Sequence, residues 1–514
     1  MPVPSPNPRK IAMSSRLSPL VWTLAAAGCA ALGGNAPSAD RPAAADLPAR
    51  PDDLTFEPLS FEPPKAADYR HVLPCGVPVY LAPSHEFPLA AVNFSFQGGA
   101  YLEPQDKVGL AGMTGAMMRR GGTTSKSADE LDEEFDFLAA NCSSFSGSTQ
   151  SGASLNCLTS NFEEAFALFL DMVRHPGFQE DKLEIYRDQR LERMKQRNDD
   201  AGSILNREWD FLVYGEEHFE GRVSTQASLE SITVDDLKAF HRRVFQPGNL
   251  IISATGDFEV EEMLVRLEKA LEGWPAGEKM PPPPAPTQEL TPGVFRVEKD
   301  IPQGKVYIGQ RSVTRDHPDA IALTLMNDIL GGGGFTSRIT SRVRSDEGLA
   351  YSAGSGYSMP VYYPGTFVAS FQSKNRTVAL AIKVILEEIA RIREQRVTPE
   401  ELETAKNALI ETFPRTFESK GNTLGVFVSD EWTARPADYW QTYRERVRAV
   451  TPEDVLRVAK EHLDPAKLAI FVVGKWEEIG PGDLDGRARM AEFGGGIATE
   501  LPLRDPLTME PMVP

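Results

Sequence analysis

Apolar and polar positions along the chain follow two patterns, one typical of strands and one typical of helices. Alternation with a period of two marks residues 90–96 (AAVNFSF) and 305–312 (KVYIGQRS) as strands. Long segments with an apolar stripe at helical spacing, such as residues 178–194 and 397–413, predict amphipathic helices. Because strands and helices mix in both halves of the chain, the pattern predicts the α+β class.

The two halves of the chain repeat one another. Residues 231–258 align without gaps with residues 449–476, and Thr233 of the first copy meets Thr451 of the second. Each copy predicts a helix that a threonine caps, then a proline break, then a buried strand that ends in glycine. The two amphipathic segments named above match one another as well. Similarity at so long a period indicates a duplicated domain rather than a solenoid.

Proline-rich and small-residue stretches divide the chain into segments. The four prolines at 281–284 do not donate to a helix or a sheet ladder and favour an extended linker. The residues after about 479 are rich in glycine and proline, and we expect them to lie on the surface. The predicted segments are a signal peptide (1–29), a flexible tether (30–60), an N-terminal domain (61–275), a linker (276–293), a C-terminal domain (294–478) and a tail (479–514).

The N-terminus has the features of an export signal. Arg9, Lys10 and Arg16 precede an apolar run that ends in small residues and is too short to span a membrane as a helix. The residues up to Cys29 resemble a bacterial lipoprotein cleavage box, in which the cysteine is lipidated. We therefore expect an exported, periplasmic protein that contacts the membrane through a lipid anchor only. Plain secretion after an A-x-A-like site is the alternative.

The charge argues against one class of partner, and the cysteine spacing excludes one class of metal site. The 54 basic and 73 acidic residues give a net charge of −19, which argues against a nucleic-acid binder because such a protein needs a basic face. The cysteines after the signal are Cys75, Cys142 and Cys157, with no C-x-x-C pair for a zinc knuckle. Cys142 and Cys157 flank a predicted hairpin, so a disulfide between them stays open.

Three motifs carry a resemblance to a known family. They are FQGGAYLEPQDKVGLAG, FHRRVFQPGN and LGGGGFTSRITSRVRSDEGLAYSAGS, and the resemblance extends over roughly residues 65–478. They resemble the insulinase/pitrilysin zinc metallopeptidases, the family that includes the mitochondrial processing peptidase. The resemblance implies two homologous α/β-roll domains, each a mostly antiparallel sheet packed with helices, that together form a clamshell.

The metal-binding motif of that family is degenerate in this chain. Active members carry H-x-x-E-H on one helix, where two histidines bind zinc and the glutamate is the general base. The resemblance places Gly112, Gly115 and Ala116 at these three positions, and Arg193 where a later helix supplies the fourth ligand. Glycine and alanine have no donor atoms, and a cation does not bind zinc. We expect no metal, no cofactor and no hydrolysis from this chain alone.

The second half retains residues that the resemblance associates with substrate. Arg344 and Tyr351 match an arginine and a tyrosine that contact the bound peptide and help to stabilise the oxyanion. Gly331, Gly332, Gly333 and Gly334 match a glycine-rich substrate loop, and the alternative is that they let two backbones approach closely. The resemblance also implies a substrate-binding edge strand at Phe145, Ser146, Gly147 and Ser148.

The loss of the metal residues beside the retained Arg344 and Tyr351 leads to one functional hypothesis. We expect the non-catalytic subunit of an exported, heterodimeric zinc peptidase, whose H-x-x-E-H partner binds the zinc and cuts a peptide substrate. The alternative is a scaffold or binding protein of the same fold with no proteolytic role.

Overall fold

The computed structural model describes Arg50 and residues 60–512. The predicted signal peptide, Cys29 and nearly all of the tether lie outside these described residues. Within them, no helix is both long and apolar enough to cross a membrane.

Two six-stranded sheets, one from each half of the chain, share the same order in five of their six strands and differ in the outermost strand at one edge. The first contains β1 (Arg70–Val72), β2 (Pro78–Pro83), β3 (Leu89–Gln97), β4 (Asn141–Ser146), β5 (Gln150–Leu158) and β6 (Leu250–Gly256). The second contains β7 (Gly293–Glu298), β8 (Gln303–Arg311), β9 (Ala350–Tyr357), β10 (Thr366–Lys374), β11 (Ala469–Gly474) and β12 (Ala498–Glu500). Their orders are β1-β2-β6-β3-β5-β4 and β12-β7-β11-β8-β10-β9.

Most neighbouring strands in both sheets are antiparallel. The parallel pairs are β2 with β6 in the first sheet, and β7 with β11 and with β12 in the second. β4 and β9 are therefore equivalent outermost strands. The predicted α+β duplication, with a mostly antiparallel sheet in each half, is confirmed.

Helices follow the strands in both halves. Those of the first half are α1 (Leu110–Arg120), α2 (Ala128–Phe137), α3 (Phe162–Arg174), α4 (Glu180–Lys195), α5 (Ala201–Tyr214), α6 (Gln226–Ser231), α7 (Val234–Val244) and α8 (Val260–Leu271). Those of the second are α9 (Ala320–Asn327), α10 (Arg338–Thr340), α11 (Val378–Glu394), α12 (Pro399–Thr412), α13 (Lys420–Trp432), α14 (Tyr439–Ala449), α15 (Pro452–His462) and α16 (Trp476–Ile479).

The repeated threonine caps form as the sequence predicts. Thr233 begins α7 and Thr451 begins α15, and each side chain accepts the backbone N–H of an aspartate three residues on. The aspartate carboxylate accepts the threonine N–H in return, which completes a capping box at both sites.

One helix of each half packs against the sheet of the other half. The apolar side of α5 lies on the second sheet, where Trp209 contacts a cluster that includes Phe471. The apolar side of α13 lies on the first sheet, where Phe427 contacts a cluster that includes Tyr80. α5 and α13 occupy equivalent positions in the repeat, so the exchange is reciprocal. Each sheet is thus completed by a helix from the other half.

The structure answers one question that the sequence left open and corrects one expectation. Cys142 and Cys157 form no disulfide, since Asn141 pairs with Asn156 and the two cysteines lie out of register on neighbouring strands. The tail is not confined to the surface either. Ala488 and Met490 are buried in the second core, and β12 adds a strand to the second sheet.

Candidate functional site

Helix α1, which carries the degenerate metal positions, begins at a buried carboxylate. The side chain of Glu103 accepts the backbone N–H groups of Gly109, at 3.2 Å, and of Ala111, at 2.6 Å. A carboxylate at this place satisfies unpaired amides and interacts favourably with the helix dipole. Burial nevertheless raises the pKa of Glu103. The Glu103 carboxylate therefore fixes the start of α1.

The two glycines of α1 have different surroundings. A β-carbon at Gly112 would have no atom within 4 Å outside its own helix, so the space above it is open. A β-carbon at Gly115 would lie 2.2 Å from the backbone nitrogen of Ser146 and 2.4 Å from the carbonyl carbon of Phe145. Real β-carbons do not approach backbone atoms this closely. Gly115 therefore lets α1 pack directly against β4, and any side chain there forces the two apart.

The remaining predicted metal positions are equally unsuited to zinc. Ala116 is half-buried against the first core. Arg193 is exposed on α4, where its Nε donates to the carbonyl of Gln189 at 3.2 Å, and neighbouring Glu192 pairs with Lys195 at 2.6 Å. No acidic or histidine side chain replaces the lost ligands on α1.

Among the described residues, one group of three side chains has metal-ligand character, and it lies in the second half. His317, Asp319 and His462 bring their donor atoms within 4.8 Å of one another. The carboxylate of Asp319 is already occupied, because Arg457 donates to both oxygens at 2.6 and 3.1 Å and His462 lies 3.0 Å from one of them. The group therefore forms an ion-pair network that joins α9 to α15.

This network predicts a pH-dependent contribution to stability. The hydrogen bond from Arg457 lowers the pKa of Asp319 to about 2 from its ordinary value of 3.8. A lowered carboxyl pKa stabilises the fold above pH 4 and loses that effect as the pH falls toward 2. Asp319→Asn should lower the free energy of unfolding by about 1 kcal/mol at pH 7, with a smaller difference at pH 3.

Urea unfolding at the two pH values measures this difference. Asp300→Asn is the control, since Asp300 is 88% exposed and pairs with Lys475 at 3.4 Å. An equal loss for Asp319→Asn at both pH values would contradict the assignment.

Arg344 and Tyr351 come together in the second half. Arg344 lies in a π-helical turn (Ser341–Asp346), and Tyr351 lies near the start of β9. The guanidinium carbon is 4.8 Å from the centre of the Tyr351 ring and 4.4 Å from the centre of the Phe335 ring. The tyrosine and the phenylalanine are 84% and 73% exposed. The resemblance implied that Arg344 and Tyr351 act on the same peptide, whereas the contact with Phe335 was not predicted.

The glycine-rich stretch packs closely against β9. A β-carbon at Gly331 would lie 2.6 Å from the backbone nitrogen of Ser355, much as one at Gly115 would meet β4. Gly332 and Gly333 lie against atoms of the preceding turn, and Gly334 has a φ of +64°, which favours glycine. Close approach to neighbouring atoms thus accounts for Gly331, Gly332 and Gly333 and the positive φ for Gly334, and a role as a substrate loop stays a prediction.

The predicted substrate strand is divided between β4 and the turn after it. Phe145 and Ser146 belong to β4, and Phe145 is 56% exposed. Gly147 and Ser148 lie in the turn, where their carbonyls accept backbone N–H groups from the segment after β3 at 2.9 and 3.2 Å. Phe145 also lines a cavity of about 370 Å³ between the first sheet and α13.

Comparison with protein-family models identifies both halves. Residues 79–208 match the model described as insulinase (peptidase family M16), and residues 231–409 match the model described as the peptidase M16 inactive domain. This chain belongs to the M16 peptidase family. Together with the loss of donors on α1, the match to the inactive domain makes it a catalytically inactive M16 protein.

Individual proteins are similar to this chain over most of its length. A relative from Helicobacter pylori, named non-peptidase homolog YmxG, is 24% identical, and the match covers 79% of this chain and 94% of the relative. A solved M16 inactive domain from Pseudomonas fluorescens has a TM-score of 0.71 and 25% identity, covering 79% of this chain and 97% of its own. A solved protease from Helicobacter pylori has a TM-score of 0.68 and 19% identity, and covers 80% of this M16 chain and all of its own.

Proposed function

We propose that this chain is the non-catalytic subunit of an exported, two-chain zinc peptidase. A homologous partner with H-x-x-E-H supplies the zinc and the general base, and this chain supplies Arg344 and Tyr351. The observation that carries the proposal is the contrast between the two halves. α1 has lost every metal donor, whereas Arg344 and Tyr351 remain adjacent and accessible from solvent.

The chemistry of the retained pair suits a peptide substrate. Guanidinium and phenol are both hydrogen-bond donors, and both favour a carbonyl oxygen on which negative charge develops during hydrolysis. In this proposal an extended peptide pairs with the backbone of β4, near Phe145, while Arg344 and Tyr351 reach into the partner's catalytic site. The lipoprotein-like leader that ends at Cys29 supports export and anchoring to a bacterial membrane.

Activity measured on the reconstituted pair tests the proposal. We expect co-expression with an H-x-x-E-H chain of the same organism to give a stable complex that cleaves an unfolded peptide. Arg344→Ala and Tyr351→Phe should each lower kcat/KM by about 100-fold while the complex still forms, because oxyanion donors act mainly in the transition state.

Arg266→Ala is the matched control. Arg266 lies on α8 in the first half, is half-buried and pairs with Glu163 and Glu262, so its loss should leave cleavage unchanged. Full cleavage by complexes that carry Arg344→Ala and Tyr351→Phe would refute the shared site. A complex that forms without any peptidase activity would favour the scaffold role instead.

A further inference from the structure

Arg344 differs from the arginines that precede it in the same segment. Arg338 donates to both carboxylate oxygens of Glu401 at 2.7 and 2.8 Å, and Arg342 pairs with Glu388 at 3.0 Å. Arg344 makes no hydrogen bond and no ion pair with any residue in the part of the chain that the structure describes. The residue is half-buried, and its guanidinium has no acceptor among these residues.

Nearby carboxylates do not pair with Arg344 although they follow it closely in the sequence. Asp346 lies 4.0 Å from Arg342, and Glu347 pairs with Arg487 at 2.8 Å. The carboxylates that follow Arg344 thus lie beside other arginines, and its guanidinium has no acidic partner among the described residues.

Two aromatic rings hold this guanidinium. Phe335 and Tyr351 both lie within 5 Å of it, and neither ring is buried in the core. A guanidinium stacked on rings keeps its N–H groups free at its edge, and that edge matches the two oxygens of a carboxylate. Stacking also limits the rotamers of a long side chain, so less entropy is lost when a ligand binds.

We propose that Phe335, Arg344 and Tyr351 form a carboxylate clamp that selects acidic side chains in an extended peptide. One edge of the Arg344 guanidinium donates to both carboxylate oxygens of a substrate aspartate or glutamate, which leaves its remaining N–H donors for the scissile carbonyl, and the Tyr351 hydroxyl donates to a neighbouring peptide carbonyl. Phe335 is a positioning residue that acts by holding Arg344. The inference deepens the proposed function, on which it rests, by naming the class of peptide.

Peptide binding to the purified full chain tests the clamp without the partner. The probes are two fluorescein-labelled, unstructured peptides that differ only by glutamate or glutamine at one central position, measured by anisotropy at low salt. We expect the glutamate peptide to bind at least tenfold more tightly, since a charge-assisted bidentate contact is about twice as strong as a neutral one. Arg344→Ala should remove this preference, and Arg344→Lys should remove most of it.

Variants of the rings separate positioning from overall stability. Phe335→Ala should reduce the preference about two- to fivefold, as expected for an exposed cation–π contact, and Phe335→Tyr should restore it. The control is Phe137→Ala, because Phe137 is 86% exposed on α2 and its ring contacts no arginine among the described residues. This control should bind both peptides like the unmodified chain.

The outcomes distinguish the clamp from the proposed subunit role. Equal binding of both peptides, no binding of either, or a preference that survives Arg344→Ala would overturn the clamp. If the clamp fails while Arg344→Ala still abolishes cleavage by the reconstituted pair, the subunit role stands and the acidic selectivity is wrong. If the preference is seen and the pair cleaves nothing, the clamp belongs to a peptide-binding protein.

Discussion

Replacing Gly115 by glutamate, the residue that active family members carry there, is expected to destabilise this chain rather than to return it toward catalysis. Its β-carbon would lie 2.2 Å from the backbone of β4, and both α1 and β4 belong to the packed first half. The helix and the strand must separate, and the new carboxylate must be buried without a partner. We expect the free energy of unfolding to fall by about 3 kcal/mol.

Gly112→Ala provides the matched control on the same helix. The site is open, and alanine is a better helix former than glycine, so this variant should gain about 0.5–1 kcal/mol. Urea unfolding of the two variants measures both effects. Opposite signs would confirm that one glycine is required for packing and the other is not, whereas a stabilised Gly115→Glu variant would show that β4 moves away at no cost.

Glu208→Ala is expected to have the largest effect on stability. Glu208 is 1% exposed, and its two oxygens lie 3.1 Å from Arg207 and 3.3 Å from Arg504. Arg207 is itself only 8% exposed, so removal of the carboxylate leaves a guanidinium buried without its counter-charge. Losing one partner of a buried ion pair costs about 3–5 kcal/mol.

Glu216→Ala is the control for this prediction. Glu216 also pairs with Arg504, at 2.6 Å, but its side chain is 59% exposed, so its loss should cost less than about 1 kcal/mol. Thermal and urea unfolding of both variants measure the difference. Similar losses of unfolding free energy for the two variants would mean that water replaces the Glu208 carboxylate beside Arg207.

The repeated features of the fold could be predicted from the sequence because they are local. The capping boxes at Thr233 and Thr451 depend on residues three apart, and the strands that end at Gly256 and Gly474 follow a short apolar pattern. The resemblance placed Arg344 and Tyr351 in one motif, and the structure brings their side chains into contact.

Other features depend on contacts that no local pattern records. The apolar stripe of α5 predicts a buried face, but not that Trp209 lies on the sheet of the other half. β12 is only three residues long, which is too short to show an alternation of apolar and polar positions. Its parallel pairing with β7 is a contact between distant parts of the chain. Phe335 follows four glycines, so the sequence predicts a loop at this position. The contact of its ring with Arg344 exists only in the folded turn.

The reciprocal exchange of α5 and α13 has a consequence for how this protein evolves. The molecule is arranged like a domain-swapped dimer whose two subunits have been joined into one chain, so neither half is complete alone. The half that lost its metal ligands still supplies α5, which covers the sheet of the half that carries Arg344. Selection on either half therefore preserves the fold of both, and the catalytic residues of one were free to disappear without the loss of its structure.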